Sequence, residues 1–517
     1  MEREPPRIPP YETKSICPEC ILDGKVNVIT AKVYEENGKI MIEKTCPQHG
    51  TFKDVYWGSA EQFKRVMKWW YKGLGLENPR TQTQKGCPQD CGLCPNHKTH
   101  TALALIDVTN RCNLRCPICF ANAASAGYVY EPSKEEIRKI LINFRNNRPV
   151  PAPAVQFAGG EPTVREDLPE LIKMAKEVGF PHVEIATNGL RLMDEEYARK
   201  LKEAGLSTIY LQFDGVTPKP YEIARGRNLL PEKLKIIEVC RKVGLHSIVL
   251  VPTLVRGVND DQVGKIIEFA VKNFDVIRAV NFQPVSITGR INREEREKMR
   301  ITIPDLMKLT EEQTNRRIKE NDWYPTSFPI PLARALGLIK GKPAVEFSTH
   351  PACGMATFIV LEENSEYAPI TKYIDVERFI GTMEKIADDL EKGGRIDKLK
   401  SRARLLGAVR YVKKKGLLKD LIATILKRGD YSSLGEFMRK IIMIGSMHFQ
   451  DPYNFDLERV ERCCIHYGLP DGRIVPFCSM NSIHRPVIER QFAVSIEEWK
   501  RQKGKLTEIE AASIAMS

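Results

Sequence analysis

Between residues 101 and 320, apolar strand-like runs alternate with amphipathic helical stretches six times, and few folds accommodate that order. Strand candidates span 102–110, 154–160, 182–188, 208–214, 246–254 and 278–285. Helix candidates lie between them near 133–146, 167–178, 194–204, 231–243 and 260–273, with a sixth over 303–317. The first opens on a capping-box signature, Ser133-x-x-Glu136. Six such units in a row predict an α/β fold, a parallel and partly open (βα)6 barrel whose chemistry gathers where its strands end.

The loop after the first strand carries Cys112, Cys116 and Cys119 in C-x3-C-x2-C spacing. That spacing puts three thiolates on one short loop, able to hold three corners of a [4Fe–4S] cube. Four cysteines would close such a cluster; three leave one iron open to a reactive ligand.

Eleven further cysteines bring the total to 14, and most sit in tight groups. Cys17-x2-Cys20 and Cys46-Pro-Gln-His49 form two knuckles of the kind that hold one tetrahedral ion, iron or zinc. Cys87, Cys91 and Cys94 repeat the spacing of the central loop, with His97, His100 or a remote residue as a further ligand. Cys353, Cys463, Cys464 and Cys478 are enough for a closed auxiliary cluster. Cys240 falls on the apolar face of a helix candidate and reads as core.

Clustered thiols, with no signal peptide and no apolar run long enough to span a bilayer, predict a cytoplasmic protein. At 517 residues the chain is long for a single core, and it divides into a metal-binding module over 1–100, a barrel over 101–320 and a helical, Cys-containing region over 321–517. The net charge of +13 concentrates between Arg395 and Arg428, where twelve Lys or Arg meet two Asp. Leu399, Ala403, Leu406, Val409 and Val412 recur there at helical spacing. That pattern suits an anionic membrane surface or a phosphate-bearing partner, and equally a solvated helix face.

The central cysteines resemble the signature of radical S-adenosylmethionine (radical SAM) enzymes. The resemblance extends to Gly159-Gly160-Glu161-Pro162 after strand two, similar to the motif that meets the SAM amino group. It implies SAM contacts from Thr187 and Asn188 after strand three and from Gln212 and Asp214 after strand four. Ile118 and Phe120, beside the last cluster cysteine, are placed by it over the adenine. In this family an electron from the cluster cleaves SAM to methionine and a 5′-deoxyadenosyl radical.

The wider layout, from Cys17-x2-Cys20 and Gly86-Cys-Pro-Gln-Asp-Cys-Gly-Leu-Cys94 to Cys463-Cys464-Ile-His466 and Pro476-Phe-Cys478, resembles the archaeal tetraether lipid synthases and related radical SAM methyltransferases acting on a dihydropterin. The resemblance implies a [4Fe–4S] cluster binding SAM, one or two auxiliary clusters and a mononuclear iron or zinc. The function expected first is C–C bond formation between isoprenoid chains of an anionic phospholipid, with peripheral membrane contact, an external electron donor and an auxiliary cluster facing the barrel mouth. The alternative is methylation of a dihydropterin or similar small molecule. A basic zinc-ribbon protein bound to nucleic acid accounts for the charge and the first knuckles, but leaves the barrel and Gly159–Pro162 unexplained. No nucleic-acid partner is expected.

Overall fold

The computed structural model describes residues 2–123, 126–362, 366–394, 400–401, 403–404, 407–413, 441–504 and 506–515. Four antiparallel strands open the chain and pair in sequence order: β1 (Tyr11–Ile16), β2 (Val28–Glu36), β3 (Lys39–Cys46) and β4 (Gly50–Trp57). The two-residue turn between β2 and β3 is Asn37-Gly38, both with positive φ, which matches the twist of a tight hairpin. Helix α1 (Ala60–Met67), capped by Ser59, buries Phe63, Val66 and Met67 in the main core. Trp69, Trp70 and Tyr71 are buried packing residues.

The barrel strands are β5 (Leu103–Thr109), β6 (Ala154–Gly159), β7 (His182–Thr187), β8 (Thr208–Gln212), β9 (Ile248–Val251) and β10 (Ile277–Pro284). They lie parallel in chain order. Their outward positions, such as Ile106, Val155, Ile185, Leu211 and Val280, are fully buried under the flanking helices, as a parallel sheet requires. Those helices are α2 (Lys134–Arg145), α3 (Leu168–Glu177), α4 (Glu195–Glu203), α5 (Pro218–Arg225), α6 (Leu230–Val243), α7 (Val263–Lys272) and α8 (Ile303–Gln313). The capping box at Ser133 and Glu136 is formed.

The region after 320 contributes strands as well as helices. β11 (Gly354–Leu361) runs antiparallel to β12 (Ile441–Met447), and β12 lies parallel beside β10. At the other edge β13 (Ile465–Gly468) lies parallel beside β5, with β14 (Ile474–Pro476) antiparallel outside it. The parallel run is therefore β13-β5-β6-β7-β8-β9-β10-β12, and among the described residues it does not close. Helices α9 (Val376–Lys392), α10 (Arg485–Phe492), α11 (Ile496–Lys503) and α12 (Glu508–Ala515) complete the C-terminal region.

A buried ion network docks the N-terminal sheet on the barrel. Arg300 bonds Asp54 of β4 at 3.0 Å and Asp451, just after β12, at 2.7 Å. No helix among the described residues is long and apolar enough to cross a membrane. The basic stretch 395–428 falls largely outside the described residues, so its expected membrane face does too.

Candidate active site

The barrel encloses a cavity of about 410 Å³ beneath the loop that carries Cys112, Cys116 and Cys119. Alternate residues of each strand point to the same face, and the inward set here combines apolar Leu103, Leu105, Ala158, Ala186, Val249 and Val251 with polar Asp107, Gln156, Glu184, Tyr210, Gln212, Asn281 and Gln283. All three loop cysteines line the cavity and pack together with Leu114, Ala123, Tyr221 and Leu229. Three thiols on one cavity wall, with open space before them, are a donor set that fits three corners of a cubane and a fourth, external ligand. Burial, then the nearby Glu161 carboxylate, pushes the Cys112 thiol well above its ordinary value, so the thiolate needs a bound cation.

Backbone contacts hold this loop from three sides. Gly160 N–H donates to Thr109 O at 2.8 Å and Glu161 N–H to Arg111 O at 2.9 Å. A Cβ on Gly160 would lie 2.2 Å from Arg111 O, so only glycine allows this approach. Arg290, after β10, exchanges backbone hydrogen bonds with Cys119 and donates from Nε to Cys116 O at 2.7 Å. Arg225, the last residue of α5, donates to Ile118 O at 2.9 Å while its fork grips both oxygens of Asp214 at 2.7 and 2.8 Å.

Gly159, Gly160, Glu161, Thr187, Asn188, Gln212, Ile118 and Phe120 all line the cavity; Pro162 and Asp214 do not. Pro162 is buried at the start of a 3-10 turn, and Asp214 is fully buried against Arg225. Glu161 spends both oxygens on its own chain. Oε1 accepts from Thr163 and Thr187 hydroxyls at 2.7 and 2.6 Å, and Oε2 from Asn188 N–H at 2.7 Å. Asn188 Nδ2 donates to Asn113 Oδ1 at 2.7 Å, linking the end of β7 to the cysteine loop. Beneath it Lys233 of α6 donates to Asn188 O, and burial drives its ammonium down to about 7.

Where the two edges of the sheet approach, the cavity wall is aromatic, with Tyr467 on β13, Phe477 after β14 and Phe449 after β12. Phe449 stacks on Phe477 at 3.9 Å between centroids, and Tyr467 on Phe477 at 5.5 Å. Phe120, 42% exposed, reaches to 5.8 Å from the Phe477 ring.

Near the N-terminus, ligand atoms of Cys17, Cys20, Cys46 and His49 lie within 4.8 Å of one another. Nδ1 of His49 is 3.5, 3.4 and 3.7 Å from the three sulfurs, the edge lengths of a tetrahedral site with three sulfur ligands and one nitrogen. Its Nε2 faces Asp23 at 3.7 Å, an outer carboxylate of the kind that orients a ligating imidazole.

The remaining clustered thiols form two neighbouring sets. Cys87, Cys91 and Cys94 share a small recess with Asp90, His97 and Glu461. His97 reaches this recess, whereas His100 turns away and accepts from Glu346 N–H at 3.1 Å. Cys353, Cys463, Cys464 and Cys478 form the second set. Burial and the thiols of Cys478 and Cys464 together raise Cys463, and Cys353 adds to the rise of Cys464 and Cys478. The buried guanidinium of Arg459 donates to Cys353 Sγ at 3.4 Å, placing positive charge where an anionic thiolate set needs it. None of these seven thiols lines the central cavity, so the thiols expected to hold an auxiliary cluster at the barrel mouth lie outside it. Cys240 is buried core on α6.

The sequence reading missed the braces Arg225, Arg290 and Lys233, and the inward polar residues Asp107, Tyr210, Asn281 and Arg485. The available signal was a polar residue inside an apolar strand run, such as Asp107 in Leu103–Val108 or Asn281 in Ile277–Pro284.

Residues 106–270 match the family described as Radical SAM superfamily, and residues 9–58 match the HMPTM N-terminal zinc ribbon domain. The chain is 52% identical over 499 residues to the 7,8-dihydro-6-hydroxymethylpterin dimethyltransferase of Methanocaldococcus jannaschii, covering 95% of this chain and 97% of that one. It is 33% identical to the Fe-coproporphyrin III synthase of Methanosarcina barkeri over 30% of this chain and 39% of that one. A GTP 3′,8-cyclase of Limosilactobacillus fermentum is 34% identical over 35% of this chain and 54% of the cyclase.

The first of these matches overturns the expectation of lipid chain joining: a relative spanning nearly the whole chain is a pterin methyltransferase. The motifs behind that expectation hold cofactors and say little about the substrate. Among the cavity's inward polar groups, Gln156 pairs with Glu184 and Asn281 with Tyr210, whereas Asp107 Oδ1 and Asn281 Oδ1 are buried without partners, and an alkyl chain would offer them none.

Proposed function

Since this chain belongs to the radical SAM family that includes the 7,8-dihydro-6-hydroxymethylpterin dimethyltransferase of M. jannaschii, we propose that it transfers methyl groups to a reduced pterin of that class. The observation that carries this reading is the 52% identity, which runs through 95% of the chain rather than the barrel alone. A few convergent polar side chains in a largely apolar cavity support it, because a pterin is a flat ring edged with donors and acceptors.

In this reading Cys112, Cys116 and Cys119 hold three irons of a [4Fe–4S] cluster. When bound, that cluster and one SAM would supply a 5′-deoxyadenosyl radical and methionine by one-electron cleavage of the sulfonium, and each methyl would come from a separate donor, such as a further SAM that leaves as S-adenosylhomocysteine. The chain's own residues keep this chemistry in place. Gly160, Arg290 and Arg225 fix the cysteine loop against the strand ends. Glu161, its oxygens already engaged, orients Thr187 and the Asn188 backbone, and Asn188 and Gln212 present amides to SAM. Ile118 and Phe120 cover the adenine side, and the Phe449–Phe477–Tyr467 stack keeps water from the cavity wall. Cys17, Cys20, Cys46 and His49 hold a structural metal in the N-terminal ribbon. The reductant comes from outside the chain.

The test is expression in a host that lacks the gene, under anaerobic, iron-replete conditions, with mass spectrometry of extracted pterins. The proposal expects 6-hydroxymethylpterin species heavier by one or two methylene units. An unchanged pterin pool in cells that contain the iron-loaded protein overturns it.

A further inference from the structure

The floor of the cavity holds a paired acceptor and donor, each with one atom unused. Asp107 of β5 stands in register with Ala158 of β6, and Ala186 of β7 with Tyr210 of β8. Both alanines line the cavity, so small side chains alone separate Asp107 from Tyr210 along its floor. Asp107 Oδ2 accepts from Arg485 at 2.5 Å, and Arg485 is itself fixed by Glu489 at 2.8 Å and Asn481 at 2.9 Å. That leaves Asp107 Oδ1 and the second terminal nitrogen of Arg485, Nη2, without partners, on side chains each only 5% exposed. Buried polar atoms are nearly always paired in native proteins, so two orphans on one ion pair beside a cavity call for a ligand. Arg485 also lies 5.2 Å over the Tyr467 ring, which holds its plane.

A carboxylate oxygen beside a guanidinium N–H complements a cyclic amide, which offers an N–H donor next to a C=O acceptor. The pyrimidinone edge of a pterin is such a group. We propose that Asp107 and Arg485 read this edge, Asp107 accepting from N3–H and Arg485 donating to O4. Asn281, 1% exposed and with its Oδ1 also unpartnered, adds an acceptor on the cavity's far side. This assignment rests on the pterin reading above and says which edge of the ring is recognised and by which residues.

The test measures binding to the reconstituted holoenzyme by quenching of pterin fluorescence. The probes are 7,8-dihydro-6-hydroxymethylpterin and 2,4-diamino-6-hydroxymethylpteridine, in which the donor and acceptor of that edge are exchanged. The wild type is expected to prefer the pterin by roughly 10- to 100-fold, the range of one well-made pair of hydrogen bonds. Asp107→Asn and Arg485→Lys should each weaken pterin binding and erase most of that preference, with SAM binding serving as the measure of an intact fold. Variants that bind SAM and keep the preference overturn the assignment while leaving the pterin reading in place. A wild-type holoenzyme that binds no pterin overturns that reading and this inference together. If both variants lose SAM binding as well, the wild-type comparison decides: equal affinity for the two probes refutes the assignment, and the expected preference supports it.

Discussion

Arg225→Ala is the sharpest structural perturbation available, because one side chain joins three strand ends. Its fork gives two bonds to Asp214, one to Ile118 O and one to Thr253 Oγ1 at 2.9 Å. Asp214 is fully buried, and after truncation only Thr253 N–H at 3.3 Å and the Gln212 amide still donate to it. Breaking a buried pair from one side leaves an uncompensated charge and costs about 3–5 kcal/mol, a large part of the roughly 5–15 kcal/mol that holds a domain together. The loop bearing Cys116 and Cys119 also loses its tether at Ile118, so SAM affinity should fall with stability. Urea unfolding and SAM binding of the reconstituted protein read both effects. Arg225→Lys keeps the charge without the fork and should recover part of the stability. Adding Asp214→Asn to Arg225→Ala should return at least about 1 kcal/mol, the signature of a coupled pair. An Arg225→Ala protein within about 1 kcal/mol of wild type, with SAM binding unchanged, refutes this reasoning.

Gly160→Ala forces a Cβ to within 2.2 Å of Arg111 O; the loop must move, with about 1–3 kcal/mol lost and 5′-deoxyadenosine formation falling well below wild type in a chromatographic assay. Acid should destabilise the protein below neutrality. Burial holds His100 and His484 at about 4 and His448 at about 3, so the unfolded chain takes up protons first as pH falls through 6.5. Each costs about 1.4 kcal/mol at pH 5.5, roughly 4 kcal/mol for the three, and urea midpoints that stay level from pH 7 to 5.5 would contradict this. Stripping metal from the Cys17–Cys20–Cys46–His49 site with a chelator should unfold the ribbon and expose the Trp57 ring, now fully buried, to fluorescence quenchers. Unchanged quenching in metal-free protein would remove the structural role of that ion.

The barrel was legible because its signals are local. Predicted strands 154–160 and 278–285 correspond to Ala154–Gly159 and Ile277–Pro284, and the Ser133 capping box fixes the start of α2. Fully buried parallel strands are short apolar runs, and caps act within one turn, so both show in a window of a few residues. The edge strands Ile441–Met447 and Ile465–Gly468 were not foreseen, since they pair with β10 and β5 from far along the chain. The cysteine groups were visible by spacing alone, whereas their division into two neighbouring sets depends on how 353, 463–464 and 478 fold back on 87–94. The substrate pocket was least legible. Its polar residues come one or two per strand from otherwise apolar runs, and they converge only once the sheet has curled. Motif layout reports the shared cofactors, which is why it pointed to a neighbouring chemistry on the same scaffold.

The most direct measurement is a single anaerobic reaction of reconstituted protein with SAM, a reductant and 7,8-dihydro-6-hydroxymethylpterin, in which 5′-deoxyadenosine and pterin masses are followed together. Wild type should yield both 5′-deoxyadenosine and methylated pterin, and the Cys116→Ala protein neither. Methylated pterin formed at the wild-type rate by the Cys116→Ala protein, or an unmodified pterin beside freely accumulating 5′-deoxyadenosine in the wild type, would contradict the account.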